Sequence, residues 1–362
     1  MPDTKSQKIL FVISSMRNGG TQKIVKDLFI YFKSFGCEIK VVTFDKKFGS
    51  YNYMIKKFSI CLNLSKRSKT IFHAFFYNFK RILSLRKIIR QNPEAKVVSF
   101  LYSTNVITIL SKFGLENKLI VCERNDMEHQ KVGVMWHGLR RFLYRYANRV
   151  TTNNKKNCKI LEKYTKKEKI FFIPNHIRPK KLNINRKKKI ILSVGRLHTQ
   201  KGFDILVKSF SSTKALHNNW KLVIVGQGKE EKDLKKLVNK LNLKDKISFQ
   251  GFANPYSWYR KSSIFVLSSR FEGTPNVLLE AMSMKLPVII TDRCPGGMYY
   301  VKNNLSGLVV SSYNVLALSK AIDKLIYNKG LRNKLAKGSL SYVKKLADHR
   351  KIFKQWHQSI FN

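Results

Sequence analysis

Hydrophobic and polar positions alternate in blocks that predict a strand–helix–strand order at the start of the chain. An apolar run at residues 8–16 (KILFVISSM) ends in an Asn-Gly-Gly-Thr turn, and a helical pattern follows as far as Phe35. A second apolar run at 38–45 (EIKVVTFD) has the length of a buried strand. This order is a βαβ unit, which predicts a parallel sheet. Further apolar runs that alternate with helical patterns lie at residues 96–101, 118–122, 148–152 and 169–173.

The same alternation restarts after a polar, basic segment at residues 180–189, which we interpret as a linker between two domains. The predicted strands beyond it lie at residues 189–195, 220–228, 246–251, 262–269 and 286–292. The fold class is therefore α/β, with two Rossmann-like, doubly wound parallel-sheet domains at residues 1–180 and 190–342. Ligands normally bind at the carboxyl ends of such strands, so we expect the active cleft between the two domains.

Composition adds a large excess of positive charge to this picture. Lys and Arg number 71 against 21 Asp and Glu, which gives a formal net charge of +50. The imbalance favours an anionic partner: nucleic acid, an anionic membrane surface or a phosphorylated substrate. Abundant Lys, Asn, Ile and Phe are also what AT-rich coding produces, so part of the charge follows from that bias.

Several classes of protein are excluded by what the chain lacks. No apolar run reaches the length of about 18 residues that spans a bilayer, and residues 9–14 are too short for a signal peptide. The five cysteines are scattered, with no CxxC pair, which argues against a disulfide framework or a zinc site. We therefore expect a cytoplasmic protein.

The segment at residues 268–282 (SSRFEGTPNVLLEAM) carries the most chemical information. A predicted strand ends at Ser269, a loop with Gly and Pro follows, and a helix begins near Asn276. The free N–H groups and positive dipole end of such a helix suit a diphosphate. Glu272 lies in the loop and Glu280 on the helix, eight positions later. They are either ligand-binding acids or an ordinary loop acid and a surface Glu, and the mostly apolar helix favours the first.

This E-x7-E pattern after a strand resembles the donor-binding signature of the family 4 glycosyltransferases, which have the GT-B fold. Three other segments of the second domain are similar to that family in order and spacing. Residues 195–210 (GRLHTQKGFDILVKSF) resemble its G-R…K-G motif. Residues 220–228 resemble the second strand and turn of the family's donor domain. Residues 247–254 resemble the loop that reads the nucleotide base. The fold also implies that a C-terminal helix, residues 343–362, crosses back to the first domain.

The resemblance implies a role for each matching residue. Arg196 and Lys201 would clamp the donor diphosphate and neutralise the departing nucleotide, so no metal ion or other cofactor is expected. In a chain this rich in Lys, they could instead be an ordinary solvated pair. Glu280 would accept hydrogen bonds from the ribose hydroxyls, and Glu272 would contact the donor sugar near the reacting centre. The other implied donor-binding positions are Gly195, Phe252, Gly273, Thr274, Pro275, Asn276 and Val277.

The first domain resembles the family more loosely. Gly19 and Gly20, in an NGGTQ turn, would let the backbone approach the donor phosphates and the acceptor, unless they form an ordinary βα turn. The acceptor-side candidates follow a predicted strand, and a structural loop network is an equally open alternative for them. They are Glu123, Arg124 and Asn125.

One position departs from the family pattern. The family usually has a Glu three positions after the Cys-Pro-Gly-Gly stretch at 294–297, and Tyr300 stands there in this chain. The role of this residue at the cleft edge and the donor preference therefore stay open. The family retains anomeric configuration, and a front-face attack, in which the leaving phosphate takes the acceptor proton, fits the lack of an obvious base.

A basic, aromatic segment in the first domain suggests a second interaction. Residues 51–93 contain ten Lys or Arg and no Asp or Glu. Within them, residues 65–90 place aromatic and aliphatic side chains beside cationic ones at helical spacing. Such a helix can lie on an anionic bilayer surface. Alternatively, its apolar face packs on the sheet and its Lys and Arg residues merely face water.

These observations favour a retaining glycosyltransferase that moves a hexose or N-acetylhexosamine from a nucleotide sugar, with a UDP-sugar favoured. The resemblance implies a lipid-pyrophosphate-linked or glycan acceptor in O-antigen, capsule or glycan biosynthesis, at the inner face of the cell membrane. One alternative is a sugar-nucleotide epimerase of the same fold. Another is a basic nucleic-acid-binding protein, but the sequence has no nucleic-acid-binding motif, so we expect no nucleic-acid partner.

Overall fold

The chain forms two compact units in a computed structural model that describes residues 6–65, 70–130, 132–178 and 188–362. One unit is Met1–Pro174 together with Arg350–Asn362, and the other is Asn175–His349. The sequence placed the start of the second domain at residue 190 and the return to the first at residue 343. Most of the expected linker at 180–189 lies outside the described residues.

A seven-stranded parallel sheet forms the centre of the first unit. Its strands are β1 (Lys8–Ile13), β2 (Glu38–Thr43), β3 (Ser59–Cys61), β4 (Lys96–Phe100), β5 (Leu119–Glu123), β6 (Arg149–Thr152) and β7 (Ile170–Phe172). They are ordered β3-β2-β1-β4-β5-β6-β7, as a doubly wound sheet requires.

Helices cover both faces of this sheet, because successive side chains of a strand point to opposite faces. On β1, Ile9, Phe11 and Ile13 join one hydrophobic cluster, whereas Leu10 and Val12 join another on the opposite face. The helices between its strands are α1 (Gly20–Ser34), α2 (Ile71–Arg90), α3 (Tyr102–Lys112), α4 (Val134–Leu143) and α5 (Lys155–Leu161). Three 3₁₀ helices lie at Ser50–Phe58, Tyr144–Tyr146 and Lys167–Lys169.

The second unit repeats this architecture with a six-stranded parallel sheet. Its strands are β8 (Ile190–Val194), β9 (Lys221–Val225), β10 (Ile247–Phe249), β11 (Ile264–Leu267), β12 (Val288–Thr291) and β13 (Leu308–Val310), ordered β10-β9-β8-β11-β12-β13. Its helices are α6 (Phe203–Ser211), α7 (Glu231–Lys240), α8 (Pro255–Lys261), α9 (Asn276–Ser283), α10 (Pro295–Met298), α11 (Val315–Tyr327) and α12 (Lys329–Leu346). The expected fold class, two α/β parallel-sheet domains, is confirmed.

Two strands were missed by the sequence pattern. Strands β3 and β13 have three residues each and lie at the outer edges of their sheets. A three-residue strand shows little pattern by itself. Strands β7 and β10 are equally short, but they were predicted because the patterned segments around them, residues 169–173 and 246–251, extend beyond the strands.

The C-terminal segment contains parts of two helices, whereas a single helix was expected at residues 343–362. Helix α12 ends at Leu346, and α13 begins at His349 and ends at Phe361. At the break, the carbonyl of Ala347 accepts a hydrogen bond from the N–H of Ile177, at 3.0 Å. The helix ends here, and the backbone pairs with a neighbouring strand-like segment instead.

Helix α13 completes the core of the first unit. Its Phe353 ring stacks on Tyr31 of α1 with centroids 4.4 Å apart. Trp356 is 1% exposed, contacts Phe100 of β4, and lies under the Arg124 guanidinium at 4.6 Å. The first unit therefore buries a large aromatic side chain that comes from the far end of the chain.

We predict that Trp356→Ala destabilises the protein by about 3–5 kcal/mol, because the change removes a buried indole and leaves a cavity. Gln355→Ala, an exposed position on the same helix, should change the free energy of unfolding by less than about 0.5 kcal/mol. Urea unfolding followed by circular dichroism measures both. Equal stability of the two variants would show that α13 contributes little to the core.

Candidate active site

The loop after β8 places the first site residue, Lys201. A short 3₁₀ helix at Thr199–Lys201 is followed by Gly202, whose backbone is left-handed with φ of 62°. A Cβ at this glycine would lie 2.2 Å from the carbonyl oxygen of Ser268, so only glycine permits the approach of the two loops. The Ser268 hydroxyl in turn donates to the Lys201 carbonyl at 3.0 Å. The glycine of the K-G dipeptide in the sequence motif is thus required for steric reasons.

Lys201 and Glu272 form an ion pair between the loops that follow β8 and β11. Both side chains are largely buried, with exposed fractions of 18% for Lys201 and 11% for Glu272. Glu272 also accepts a hydrogen bond from the Ser269 hydroxyl at 3.2 Å. The structure therefore brings together two of the three residues that the sequence assigned to catalysis.

A second ion pair holds the same two loops in register. The Arg270 guanidinium donates to both carboxylate oxygens of Asp204, at 2.8 and 2.7 Å. Burial raises the pKa of Asp204, but the hydrogen bonds and charge of Arg270 outweigh that effect and hold this pKa below its usual value. The backbone N–H of Arg270 donates a hydrogen bond to the Gln200 carbonyl at 2.8 Å. This bond fixes the backbone next to Lys201.

The loop before α9 is held by a buried polar network. The Asn175 amide donates to the Thr274 carbonyl at 3.1 Å and to the Asn276 side-chain oxygen at 2.8 Å. The hydroxyl of Tyr300, which is fully buried, donates to the Asn175 carbonyl at 2.9 Å. Tyr300 therefore supports the loop from beneath, whereas the sequence analysis placed it at the cleft edge.

A close backbone approach limits the same loop from the other side. A Cβ at Gly296 would lie 2.2 Å from the Gly273 carbonyl oxygen. The Cys-Pro-Gly-Gly stretch thus packs directly against residues 273–274, and the segment that includes Pro275 leads into the first turn of α9. Asn276 and Val277 begin this helix, and both are half-buried.

Glu280 lies on α9 with only 7% of its surface exposed. One of its carboxylate oxygens accepts a hydrogen bond from the Tyr259 hydroxyl of α8 at 3.1 Å. Burial, together with the charge of Glu280, raises the pKa of Tyr259 well above its usual value, so this hydroxyl keeps its proton. The carboxylate therefore has a fixed orientation, and it is not an ordinary surface Glu.

Three further predicted donor-site residues border this region or lie apart from it. Gly195 lies against the Lys201 side chain, and a Cβ there would be 3.4 Å from its Cε. Arg196 is exposed, and so is Phe252, which retains 52% of its surface. Within the part of the chain that the structure describes, Arg196 forms no hydrogen bond or ion pair with Lys201 or Glu272, so its part in the clamp stays a prediction.

The predicted glycine turn in the first unit begins α1. Gly20 is the first residue of that helix, and Gly19 precedes it with an extended backbone at φ of 179°. A Cβ at Gly19 would meet only the end of the Gln22 side chain, at 2.3 Å. The backbone conformation at Gly19 therefore does not itself require glycine.

The acceptor-side candidates are held inside the first unit. Glu123 is fully buried, with the Tyr144 hydroxyl donating to it and Arg140 at 3.6 Å. Burial raises the pKa of Glu123 despite these partners. Arg124 donates to the Ile173 carbonyl at 3.1 Å. These contacts fit the structural alternative, so presentation of Glu123 and Arg124 to an acceptor is not what the structure supports.

Asn125 is partly exposed, and its carbonyl accepts a hydrogen bond from the Asn157 amide at 2.8 Å. Beyond it lie the side chains of Asp126, Glu128 and His129, whose ligand atoms are all within 4.8 Å of one another. His129 already bonds Asp126 at 2.8 Å, and Lys156 lies 3.6 Å from Glu128. The His129 ring and Lys156 thus already contact these two carboxylates, and the absence of a metal requirement stays a prediction.

Sequence reasoning missed the supporting residues of the site. Asn175 and Tyr259 lie outside the quoted motifs, and Asp204 and Arg270 lie in two different motifs, so only the fold shows which residues these four contact. The sequence offered one signal for this ion pair. Arg270 lies in the segment at residues 268–282, and Asp204 lies in the first turn of the helix that follows Lys201.

The fold of the chain and the sequence of its second unit are similar to those of known sugar-transferring enzymes. Residues 174–340 match the family model described as "Glycosyl transferases group 1". The chain also aligns along 98% of its length with the crystal structure of Anabaena HepE in complex with UDP and glucose, at a TM-score of 0.80 and 16% identity over 99% of that chain. Together with the sequence relatives below, these matches define the class: the chain is a glycosyltransferase with the GT-B fold.

Two similar curated proteins come from Campylobacter jejuni. One is "GalNAc-alpha-(1->4)-GalNAc-alpha-(1->3)-diNAcBac-PP-undecaprenol alpha-1,4-N-acetyl-D-galactosaminyltransferase", which is 26% identical over 91% of each chain. The other is "N-acetylgalactosamine-N,N'-diacetylbacillosaminyl-diphospho-undecaprenol 4-alpha-N-acetylgalactosaminyltransferase", which is 28% identical over 90% of this chain and 92% of its own. The expectation that the chain is a glycosyltransferase enzyme is confirmed.

We predict that Tyr300→Phe lowers the free energy of unfolding by about 1 kcal/mol, because it deletes one hydrogen bond inside a buried network. Tyr313→Phe is the matched control, since that ring is 53% exposed and its hydroxyl serves no buried loop. Chemical denaturation of both variants gives the comparison. If Tyr300→Phe is as stable as the control, Tyr300 does not support the donor loop.

Proposed function

We propose that this enzyme transfers a hexose or N-acetylhexosamine, with retention of configuration, from a nucleotide sugar to a lipid-linked or glycan acceptor. A UDP-sugar is the favoured donor, and surface-polysaccharide or glycan assembly is the favoured context. The observation that carries the proposal is the Lys201–Glu272 pair, held between two loops at the carboxyl edge of a parallel sheet. This edge is where α/β folds bind their ligands.

The donor diphosphate would bind between Lys201 and the first turn of α9. Lys201 supplies a positive charge that is largely removed from water, and such a charge interacts strongly with phosphate. Arg196, which is exposed, can turn toward the same phosphates. The free N–H groups of α9 add partial positive charge. These groups would neutralise the departing nucleotide without a metal ion.

The nucleoside part of the donor would extend toward Glu280. Because this carboxylate is ionisable, buried and oriented by Tyr259, it suits the two hydroxyls of a ribose. Phe252 lies in the segment that resembles the base-reading loop and exposes an aromatic face. A base could stack on that face.

The reacting sugar would lie near Glu272. In a front-face transfer, the bond from the anomeric carbon to the phosphate oxygen breaks as the acceptor oxygen attacks from the same side. The departing phosphate oxygen takes the acceptor's proton. Lys201 stabilises the negative charge on that phosphate, and Glu272 positions both Lys201 and the sugar.

The acceptor class follows from the relatives. Both Campylobacter enzymes are named for undecaprenol-linked acceptors, and each aligns with at least 90% of this chain. We therefore propose a polyprenyl-pyrophosphate-linked glycan as acceptor, met at the inner face of the cell membrane. The described residues contain no helix that is long and apolar enough to cross a membrane.

Contact with the membrane would be made by the N-terminal half of α2. The C-terminal half of this helix packs on the sheet through Leu85, Ile88 and Ile89. The N-terminal half instead exposes Phe72 and Phe75, at 88% and 74% of their surface. The C-terminal half of α2 thus matches the packing alternative from the sequence, and membrane contact stays a proposal for the N-terminal half. Residues 66–69 of the predicted segment lie outside the described residues.

The cationic side chains of α2 also differ in their surroundings: some bond to backbone carbonyls and others face solvent. Arg81 and Arg86 turn inward and donate to the carbonyls of Leu64 and Ser111. Lys80 is exposed and lies 4.4 Å from the centre of the Phe76 ring. An exposed aromatic patch bordered by cations suits the interface of an anionic bilayer. The exposed aromatic side chains of this patch are Phe72, Phe75, Phe76 and Phe79.

We predict that Lys201→Ala and Glu272→Gln each reduce glycosyl transfer about 100-fold or more, since each removes a charged group at the reacting centre. Lys208→Ala, an exposed lysine on α6, should transfer sugar like the wild type. Transfer from labelled UDP-sugars to a synthetic polyprenyl-pyrophosphate glycan measures the effect in the presence and absence of EDTA. Wild-type rates in both site variants contradict the proposal, and conversion of the sugar nucleotide without any acceptor would favour an epimerase.

We predict that the double substitution Phe72→Ser and Phe75→Ser weakens cosedimentation with phosphatidylglycerol vesicles. The reason is that it removes the two most exposed aromatic side chains of α2. Leu316→Ser, which is 60% exposed on α11, is the control and should leave vesicle binding unchanged. Undiminished sedimentation of the α2 variant would show that this patch does not contact the bilayer.

A further inference from the structure

The first unit contains a second apolar feature, an open groove of about 910 Å³ between α1 and the 3₁₀ helix Ser50–Phe58. Its volume lies within the range of small-molecule sites. The groove is formed by residues that take no part in the donor loops or in the α2 patch. Its apolar lining consists of Phe29, Ile30, Tyr53, Met54 and Phe58.

The 3₁₀ helix explains why apolar side chains line a surface groove. With three residues per turn, positions 52, 55 and 58 share one face. Asn52 and Ile55 are buried on that face, and the Asn52 amide donates to the Met16 carbonyl at 3.1 Å. Tyr53 and Met54 then point outward, with 62% and 52% of their surface exposed. The core does not require these two side chains to be apolar.

Three lysines border the same groove. Lys33 and Lys57 lie 5.2 and 5.1 Å from the centre of the Phe58 ring. Lys56 lies 5.1 Å from the centre of the Tyr53 ring. No Asp or Glu occurs between residues 46 and 93, so acids of that stretch do not neutralise this charge. An apolar floor with a purely cationic rim is complementary to an amphiphile with an anionic head.

We propose that this groove binds one anionic phospholipid, with an acyl chain along Tyr53, Met54 and Phe58 and the phosphate among the three lysines. A bilayer lipid is the occupant because both of its parts have a matching surface here. The acyl chain would cover the exposed faces of Tyr53 and Met54, and the phosphate would replace water around the lysines. The inference concerns binding alone and does not depend on the transfer reaction.

The test uses a soluble lipid, so that groove binding is separated from attachment to a bilayer. Dihexanoyl phosphatidylglycerol is titrated, below its micelle concentration, into the full chain with ¹³C-labelled methionine methyl groups. We expect the Met54 methyl resonance to shift. Dihexanoyl phosphatidylcholine should bind at least about tenfold more weakly, and glycerophosphoglycerol, which has no chains, should not shift the resonance.

Variants assign the contributions of the charge and of the apolar floor. Lys33→Gln with Lys57→Gln should weaken phosphatidylglycerol binding at least about tenfold. Lys236→Gln with Lys244→Gln removes two exposed charges from the second unit and should bind like the wild type. Tyr53→Ser should also weaken binding, whereas the α2 variant with Phe72→Ser and Phe75→Ser should not.

Three results overturn the proposal. One is a Met54 methyl resonance that does not respond to phosphatidylglycerol. The second is equal affinity in the wild type and the Lys33→Gln/Lys57→Gln variant. The third is a Met54 shift that depends on protein concentration without lipid, with a matching increase in mass by sedimentation, which would assign the groove to a second copy of the chain. Loss of glycosyl transfer in the Lys201 variant bears on the catalytic proposal only, because this assay contains neither donor nor acceptor.

Discussion

The ion pair between Lys201 and Glu272 is the interaction on which the donor region depends. It joins the loops that follow two adjacent parallel strands, β8 and β11, and places opposite charges at one edge of the sheet. The loops can approach because Gly202 has no side chain, and they stay in register because Arg270 bonds both Asp204 and the backbone at Gln200. The positions of these two charged side chains are therefore set by the packing of the two loop backbones.

The distribution of acids gives the high net charge a structural meaning. In a chain with only 21 acidic residues, several of them are buried and bonded to a cation or a hydroxyl. Glu272 bonds Lys201, Glu280 accepts from Tyr259, and Glu123 accepts from Tyr144. These three acids thus stabilise the interior and the candidate site, while much of the surplus of Lys and Arg lies on the surface. This surface is suited to anionic lipids and to phosphorylated substrates.

Much of the fold could be predicted from sequence because long apolar runs and glycine turns are local signals. The donor motif was also recognisable, since its residues lie within one strand, loop and helix. The ERN segment was harder to interpret. Its polar residues look like ligands in a linear sequence, and only the fold shows Glu123 beside Arg140 and Arg124 over the Trp356 ring. The sequence also could not reveal how Tyr300 supports the loop at residues 273–276. Tyr300 bonds Asn175, which is 125 positions earlier in the chain, and Asn175 in turn bonds the loop.

Hydrogen exchange of the backbone amides, with and without saturating UDP, tests the central claim most directly. GDP serves as a second nucleotide, so that base preference is separated from the location of the site. We expect slower exchange in residues 195–202 and 268–280, because these loops would enclose the diphosphate and ribose. Exchange in α2 and in the groove at Ser50–Phe58 should stay unchanged. If UDP or GDP slows exchange elsewhere in the chain but leaves both of these loops unaffected, the proposed donor site is wrong.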